Sequence, residues 1–214
     1  MLPADRTLVL VRHGQSTDNA QNLFSGFRNP SLTERGVAEA KAAGRKLKEL
    51  GFHFDIAFTS KLGRAQHTLA LMLEQLDQGD LPVRTEDALN ERDYGELSGL
   101  NKAEARSQWS PEQVHLWRKS YDAVPPGGES LAMTAARTIP FYERALAVRV
   151  QQGQRVLVVA HGNSLRSIVM HLEKMSPEAL MDFNITTSEI LIYTFSDIGG
   201  VIGKISVVAP SAPV

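Results

Sequence analysis

Short apolar segments recur along the chain with the pattern of strands in a sheet. Thr7–Val11 and Arg155–Ala160 are nearly continuous apolar runs, and Asp55–Thr59 is a weaker run of the same kind. A run without alternating polar positions is typical of a strand buried on both faces, as in a parallel sheet. Two later runs, Glu189–Phe195 and Val201–Val208, flank a Gly-Gly dipeptide and predict a hairpin.

Segments with helical periodicity lie between these strands. Residues 34–50 place apolar side chains near one face and are followed by a glycine, which favours a helix end. Apolar positions also recur at helical spacing in 61–77 and in 129–151, where Pro140 predicts a kink, and a fourth helix is expected over 163–174. Strands that alternate with helices predict an α/β fold with a mainly parallel sheet.

Residues 88–128 differ from the rest of the chain. They contain both tryptophans and little strand signal, and they end in Pro-Pro-Gly-Gly. We interpret them as a partly helical cap inserted into a single domain that covers 1–214, because domains average roughly 150 residues. Residues 209–214, which include two prolines, are expected to form a loose tail.

The composition narrows the classes of function. The formal net charge is −1, and the chain contains no cysteine. A near-neutral charge argues against a general nucleic-acid or membrane-surface binder. Without cysteine there is no disulfide, no cysteine zinc site and no thiolate nucleophile. The N-terminus lacks the pattern of a secretory signal, and the apolar runs are too short to span a bilayer. We therefore expect a cytoplasmic protein without a nucleic-acid or membrane partner.

Two of the predicted strands end in a histidine followed by a glycine. Arg12-His13-Gly14 follows the first strand, and His161-Gly162 follows the strand at 155–160. Ligands of open α/β sheets bind outside the carboxyl ends of strands, and the helix after His161 offers free N–H groups to an anion. A lone histidine in such a place is more often structural, but two units and an arginine in one chain favour a site. The two units will meet if their strands are neighbours.

These residue types favour phosphoryl transfer through histidine. An imidazole nitrogen can attack phosphorus and form a phosphohistidine, and the charge of the transferred group calls for arginines and helix N-termini. Arg12 and His161 are suitably placed, and Arg64 lies just inside a predicted helix that follows a strand. The remaining histidines lack the spacing of metal ligands, so we expect no metal and assign them to the surface or to packing. They are His53, His67, His115 and His171.

Longer strings of residues carry a family resemblance. Over about residues 7–195, the chain resembles the cofactor-dependent phosphoglycerate mutases of the histidine phosphatase superfamily. Arg12-His13-Gly14 alone indicates only the superfamily. The narrower resemblance rests on Phe24–Phe27, Ser31–Gly36, Leu89–Lys102, Gln113–Arg118 and His161–Arg166. The resemblance implies a three-layer sandwich, with a mainly parallel central sheet flanked by helices.

The resemblance also implies roles for individual residues. His13 would carry the phosphoryl group, and Glu91 would act as general acid and base for the substrate hydroxyl. Arg12, Arg64 and His161 would hold the phosphoryl oxygens. The residues that would line the pocket or bind the substrate are Asn19, Ser25, Gly26, Arg92, Tyr94, Lys102, Arg118, Lys119, Gly162 and Asn163.

The reaction implied by the resemblance is the interconversion of 3-phosphoglycerate and 2-phosphoglycerate in glycolysis and gluconeogenesis. The cofactor would be 2,3-bisphosphoglycerate, which primes His13, and no metal would be required. Phosphoglycerates would be the small-molecule partners. Family members are often dimers or tetramers, so a homo-oligomer is expected. The pocket must exclude water, since otherwise the phosphohistidine hydrolyses.

Several positions depart from the family pattern. Gln15 stands where the family usually has Glu, Ser25 replaces Thr, and Lys119 replaces Arg, which loses the fork geometry toward a carboxylate. The stretch 124–129 is shorter than in many mutases, and the tail lacks the usual lysines. Two alternatives stay open. One is a histidine phosphatase that hydrolyses a small phosphorylated metabolite, and the other is a non-catalytic module that binds a phosphorylated ligand.

Overall fold

The computed structural model describes residues 5–209. Its strands are β1 (Thr7–Arg12), β2 (Ile56–Thr59), β3 (Val83–Thr85), β4 (Arg155–Ala160), β5 (Glu189–Phe195) and β6 (Val201–Val208). They form one six-stranded sheet with the order β3-β2-β4-β1-β5-β6. The pairs β1–β4, β4–β2 and β2–β3 are parallel, whereas β5 is antiparallel to both β1 and β6. The predicted mainly parallel sheet and the β5–β6 hairpin are confirmed.

Helices cover both faces of this sheet, which confirms the three-layer α/β fold. They are α1 (Thr17–Ala20), α2 (Glu34–Glu49), α3 (Gly63–Gln75), α4 (Lys102–Trp109), α5 (Pro111–Lys119), α6 (Leu131–Phe141), α7 (Val148–Gln151), α8 (Gly162–Glu173) and α9 (Pro177–Asp182). A π-helical segment, Tyr142–Ala147, joins α6 to α7. The change of helix type thus follows Pro140, where the sequence predicts a kink.

β1 is buried on both faces because its side chains alternate between two apolar clusters. Leu8 and Leu10 pack with apolar residues of α6 and α8, while Val9 and Val11 pack with those of α2 and α3. Burial on both faces leaves no polar position between Thr7 and Arg12, which explains the continuous apolar run. This packing fixes the carboxyl end of β1 beside that of β4.

Three short elements are not apparent in the sequence pattern. β3 is an edge strand of three exposed residues and has no apolar run. α1 and α9 contain 4 and 6 residues and begin after the capping residues Ser16 and Ser176. Elements this short hold too few apolar positions for a helical or strand period to be recognised.

The segment 88–128 packs around a small apolar cluster, separate from the two clusters of the sheet. Trp117 of α5 lies in this cluster with apolar residues of α4, and Phe24 joins them from outside the segment. We propose on this basis that 88–128 is a cap on a single domain. Of the tail expected at 209–214, all but Ala209 lies outside the described residues.

Candidate active site

The carboxyl ends of β1 and β4 bring the two His-Gly units together. Arg12 lies opposite Ala160 in the parallel register, and the backbone N–H of His13 donates to the Ala160 carbonyl at 2.9 Å. The ring centres of His13 and His161 are 5.0 Å apart. The expectation that the two units meet is confirmed.

The His13 ring is held in one tautomer. Its Nδ1 lies 2.7 Å from the Gly14 carbonyl oxygen, which can only accept, so Nδ1 carries the proton. Nε2 keeps its lone pair and accepts from Arg64 Nε at 3.3 Å. Burial, followed by the charges of Arg64 and Arg12, holds the pKa of His13 well below its usual range, although the bond to Gly14 opposes the shift. His13 is therefore a neutral imidazole at pH 7, and its Nε2 can act as a nucleophile.

Gly14 is required by a close approach of two backbone segments. A Cβ at Gly14 would lie 2.3 Å from the Gly36 carbonyl oxygen, and a Cβ at Gly36 would lie 2.0 Å from the Gln15 carbonyl oxygen. The Gly14 N–H also donates to Thr68 Oγ1 at 3.0 Å. The end of β1 is thereby attached to both α2 and α3, which fixes the position of His13.

The Arg64 guanidinium is buried beside this histidine. All three of its nitrogens donate: Nε to His13, Nη1 to the Arg28 carbonyl at 2.7 Å and Nη2 to the Gly26 carbonyl at 3.1 Å. These bonds fix the plane of the guanidinium against the nucleophile. A cation held there can offset the charge of phosphoryl oxygens attached to His13.

His161 immediately precedes α8 and is fully buried. Its Nε2 lies 2.7 Å from Ser60 Oγ, whereas Nδ1 has no hydrogen-bond partner in the part of the chain that the structure describes. Burial, followed by the charge of Arg64, holds the pKa of His161 well below its usual range. A buried polar nitrogen without a partner is costly. Nδ1 is therefore available to a ligand beside His13.

Glu91 is a buried carboxylate close to Gly162. Its Oε1 accepts the backbone N–H groups of Arg92 at 2.8 Å and Asn163 at 3.1 Å. Oε2 makes no hydrogen bond within residues 5–209, and a Cβ at Gly162 would lie 3.7 Å from it and 3.8 Å from the Arg12 guanidinium. One oxygen is thus held by the backbone while the other is free for proton transfer.

A pocket of about 180 Å³ opens beside these groups, and its lining includes Arg12 and Glu91. The buried side chains of His13, Arg64 and His161 are not part of the lining. Five cationic side chains and one carboxylate line it: Arg12, Lys102, Arg118, Lys119 and Arg166, with Glu91. This excess of positive charge stands in a chain with a net charge of −1. The pocket is suited to a small polyanion.

Backbone carbonyls that follow α8 hold three of these cations. Arg166 Nη2 donates to the Leu180 carbonyl, Lys119 Nζ to the Met181 carbonyl at 3.0 Å, and Arg12 Nη1 to the Ile185 carbonyl at 2.6 Å. The Nε atoms of Arg12 and Arg166 are buried and have no partner among residues 5–209. Donors left unpaired in this way fit an anionic ligand.

Most of the predicted site residues meet in this pocket. The lining includes Asn19, Ser25, Gly26, Tyr94, Lys102, Arg118, Lys119, Gly162 and Asn163, beside Arg12 and Glu91. Arg92 lies behind the lining and is fully buried. Its Nη2 donates to the Tyr94 hydroxyl at 3.2 Å and to the Arg118 carbonyl at 3.3 Å. Arg92 thus supports two lining residues, and its Nε and Nη1 are buried without a partner within residues 5–209.

Arg166 is a lining residue that the sequence-based list omits. It lies three residues after Asn163 on α8, and its Nη1 donates to Asn163 Oδ1 at 3.0 Å. Helical spacing from Asn163 is a signal that could have identified it. Asn184 and Ile185 also line the pocket. They come from a segment without periodic pattern, and no sequence signal points to them.

Two of the departures from the family pattern lie away from the pocket. Gln15 Oε1 accepts from Thr33 Oγ1 at 2.9 Å, and Thr33 is the residue that caps the start of α2. In the short stretch 124–129, the Pro126 carbonyl accepts the N–H of Glu96 at 3.0 Å. Neither Gln15 nor this stretch is part of the pocket lining.

The four other histidines are exposed, as the sequence predicts: His53, His67, His115 and His171. Within residues 5–209, no group of three or more His, Cys, Asp or Glu side chains is placed to hold a metal ion. No helix in the same range is long and apolar enough to cross a membrane.

Comparisons with known proteins agree with this geometry. A family model described as the histidine phosphatase superfamily (branch 1) matches residues 8–207. A 2,3-bisphosphoglycerate-dependent phosphoglycerate mutase of Nitrobacter winogradskyi is 57% identical over 206 residues, which cover 96% of this chain and 100% of the relative. A protein of the same name from Methylobacterium radiotolerans is 59% identical over 189 residues, 88% and 89% of the two chains. Among solved structures, an alpha-ribazole phosphatase from Shigella flexneri matches with a TM-score of 0.80 and 26% identity, over 96% and 97% of the two chains.

Proposed function

Because the chain belongs to branch 1 of the histidine phosphatase superfamily, in the family of the 2,3-bisphosphoglycerate-dependent phosphoglycerate mutases, we propose that it interconverts 3-phosphoglycerate and 2-phosphoglycerate. The enzyme is then an isomerase of glycolysis and gluconeogenesis. The observation that carries this proposal is the 57% identity to a mutase over 96% of the chain. The geometry of the pocket supports the chemistry.

His13 is the nucleophile in this proposal. Its Nε2 lone pair attacks phosphorus, an N–P bond forms, and the P–O bond to the glycerate oxygen breaks. Support comes from the Nδ1 bond to the Gly14 carbonyl, which leaves Nε2 unprotonated, and from the lowered pKa of His13, which burial causes first. Arg64, Arg12 and His161 Nδ1 surround the position of the transferred group and stabilise its charge.

Glu91 is the general acid and base. In the first transfer it gives a proton to the leaving glycerate oxygen, and in the return transfer it takes the proton from the attacking hydroxyl. Its Oε1 is held by two backbone N–H groups, so Oε2 presents a fixed position to the substrate. A protein that only bound phosphorylated ligands would need neither this carboxylate nor an unprotonated His13 Nε2.

The pocket fits the bisphosphate that the family name implies. When bound, 2,3-bisphosphoglycerate supplies the phosphoryl group that primes His13. Lys102, Arg118 and Lys119 line the side of the pocket contributed by the cap, and we assign them to the carboxylate and the second phosphate. The unpaired Nε atoms of Arg12 and Arg166 provide further donors. Asn19, Ser25, Gly26, Tyr94, Gly162 and Asn163 complete the wall.

A histidine phosphatase is the second candidate. It is favoured by the fold shared with an alpha-ribazole phosphatase and by the short stretch 124–129, which does not cover the pocket. Both reactions use a phosphohistidine, and they differ in whether water or a phosphoglycerate hydroxyl receives the group. The products therefore separate the two candidates.

Labelling tests the nucleophile directly. The protein is incubated with 2,3-bisphosphoglycerate carrying ³²P, and the label on protein is measured after acid and after alkaline treatment. We expect label that is stable in alkali and lost in acid, absent from His13→Asn and unchanged in the control His115→Asn, whose histidine is exposed. Equal labelling of His13→Asn and wild type would contradict the assignment of His13.

Location and assembly are part of the same proposal. Phosphoglycerates are multiply charged, so an enzyme acting on them works in the compartment in which they form, and we propose the cytoplasm. The family resemblance supports a homo-oligomer, which light scattering on the purified protein will test. We also propose that the reaction needs no metal, and activity retained in EDTA is the corresponding result.

A further inference from the structure

Arg137 and Glu129 form a half-buried ion pair behind Glu91. Arg137 lies on α6, and its Nε and Nη2 donate to the two Glu129 carboxylate oxygens at 3.0 and 2.9 Å. The side chains are 23% and 18% exposed, so neither charge is fully in water. None of the residues predicted to bind substrate or carry the reaction belongs to this pair, and neither residue lines the pocket.

Arg137 also donates to a series of backbone carbonyls on the segment that carries Glu91. Nη1 lies 2.9 Å from the Ala88 carbonyl oxygen and 3.0 Å from that of Asn90, and Nη2 lies 2.9 Å from that of Glu91 itself. Ala88 lies in a short 3₁₀ helix, Asp87–Leu89, and Asn90 and Glu91 lie in the irregular segment that follows it. A single guanidinium therefore replaces the hydrogen bonds that a strand or helix would supply.

Glu129 holds the chain on the other side of Glu91. Its Oε2 accepts the N–H of Asp93 at 3.0 Å, and its own backbone N–H donates to the Asp93 carbonyl at 2.9 Å. Burial raises the pKa of the Glu129 carboxyl, but the bonds from Arg137 and from the Asp93 N–H outweigh burial, and the pKa lies below its ordinary value. Glu129 is thus charged at neutral pH and holds Arg137 in place.

We propose that Arg137 and Glu129 are positioning residues for Glu91, which hold the backbone before and after it so that its free oxygen keeps the orientation needed for proton transfer. This inference rests on the proposed role of Glu91 in the mutase reaction. The pair touches no substrate. It acts through Glu91, whose side chain accepts two backbone N–H groups from within residues 5–209.

A small displacement of the carboxyl is enough to slow the reaction. A shift of about 1 Å in a reacting group costs up to roughly 100-fold in rate. Replacing Arg137 by Lys keeps the charge but loses the planar fork, so the carbonyls of Ala88, Asn90 and Glu91 can no longer be bound together with Glu129. Glu129→Gln removes the charge that orients Arg137 while keeping the shape of the side chain.

The test compares these variants with a matched ion pair away from the site. Arg155 and Asp55 join β4 to the start of β2, with nitrogen–oxygen distances of 3.3 Å and side-chain exposures of 26% and 34%. We expect Arg137→Lys and Glu129→Gln to lower kcat roughly 10- to 100-fold with KM changed less than about twofold. Arg155→Lys and Asp55→Asn are expected to leave both constants within about twofold of wild type. Thermal unfolding of all four variants shows that each is folded.

A double-mutant cycle separates positioning from a general loss of structure. If Arg137 acts through Glu91, then Arg137→Lys causes no further loss of kcat in the Glu91→Gln background. Losses that multiply in the double variant, or a KM effect as large as the kcat effect, would overturn the proposal. The wild-type products are measured in the same experiment. If wild type only released phosphate, the mutase proposal would fail, while the cycle, run on phosphate release, would still decide the role of Arg137.

Discussion

Replacing Glu91 by Gln isolates the proton-transfer role of this side chain. The Gln carbonyl oxygen can still accept the N–H groups of Arg92 and Asn163, which lie 2.8 and 3.1 Å from Glu91 Oε1. The amide NH₂ then takes the place of Oε2, near Gly162. The shape of the pocket and the hydrogen bonds are kept, whereas the group that gives and takes a proton is lost.

The expected magnitudes for activity and stability differ. A positioned general acid or base contributes about 10²- to 10⁴-fold, so kcat for phosphoglycerate should fall by that factor, or about 3–5 kcal/mol in the barrier. Two charge-assisted hydrogen bonds become neutral ones, which lowers the free energy of unfolding by about 1 kcal/mol. For a chain of this size that corresponds to a fall in Tm of about 2–4 °C.

The assay compares two leaving groups in a single turnover. Glycerate oxygen needs a proton as it leaves, whereas p-nitrophenolate leaves without one. We expect Glu91→Gln to slow transfer from phosphoglycerate at least about 100-fold and to slow release of p-nitrophenolate from p-nitrophenyl phosphate only slightly. Equal losses with both compounds, or a large fall in Tm, would refute the role of Glu91 as an acid and indicate a structural one.

Three further results are expected. Gly14→Ala should lower the free energy of unfolding by about 1–3 kcal/mol and abolish most activity, because its Cβ would lie 2.3 Å from the Gly36 carbonyl oxygen. In the control Gly79→Ala the added Cβ meets no atom within 4 Å. An equal effect of the control would contradict this reasoning. Stability measured by urea unfolding should fall as the pH drops below about 6.5, by at most about 1.4 kcal/mol per pH unit for each of His13 and His161. The pKa of both is held low in the folded state, first by burial, so only the unfolded chain takes up protons in that range, and a flat profile between pH 7 and 5 would contradict their burial as neutral imidazoles. KM for phosphoglycerate should rise with salt concentration because five cations line the pocket. A KM that is independent of ionic strength would contradict electrostatic binding.

Most strands of the sheet can be predicted from the sequence, because buried strands require apolar side chains and surface segments do not. β1 and β4 are buried on both faces, so their central positions are all apolar and the run is easy to recognise. β3 is the exception, because an exposed edge strand of three residues has no such requirement. The boundaries of α2, α3 and α8 lie within two residues of the predicted ones.

The core of the site was predictable for a related reason. His13 and His161 each follow a buried strand, and adjacency of parallel strands is enough to bring them together. The position of Ile185 depends on how the chain after α9 packs, which no local pattern specifies. The role of Arg92 in substrate binding stays a prediction, since its guanidinium is buried beside Tyr94 and its Nε and Nη1 have no partner within residues 5–209.

The identity of the product tests the central claim most directly. The purified protein is incubated with 3-phosphoglycerate, a trace of 2,3-bisphosphoglycerate and excess EDTA, and the products are followed by phosphorus NMR. The account predicts a growing 2-phosphoglycerate signal that depends on the trace of bisphosphate and is absent from His13→Asn. Growth of inorganic phosphate without 2-phosphoglycerate would contradict it and would establish that water, and not a phosphoglycerate hydroxyl, receives the phosphoryl group.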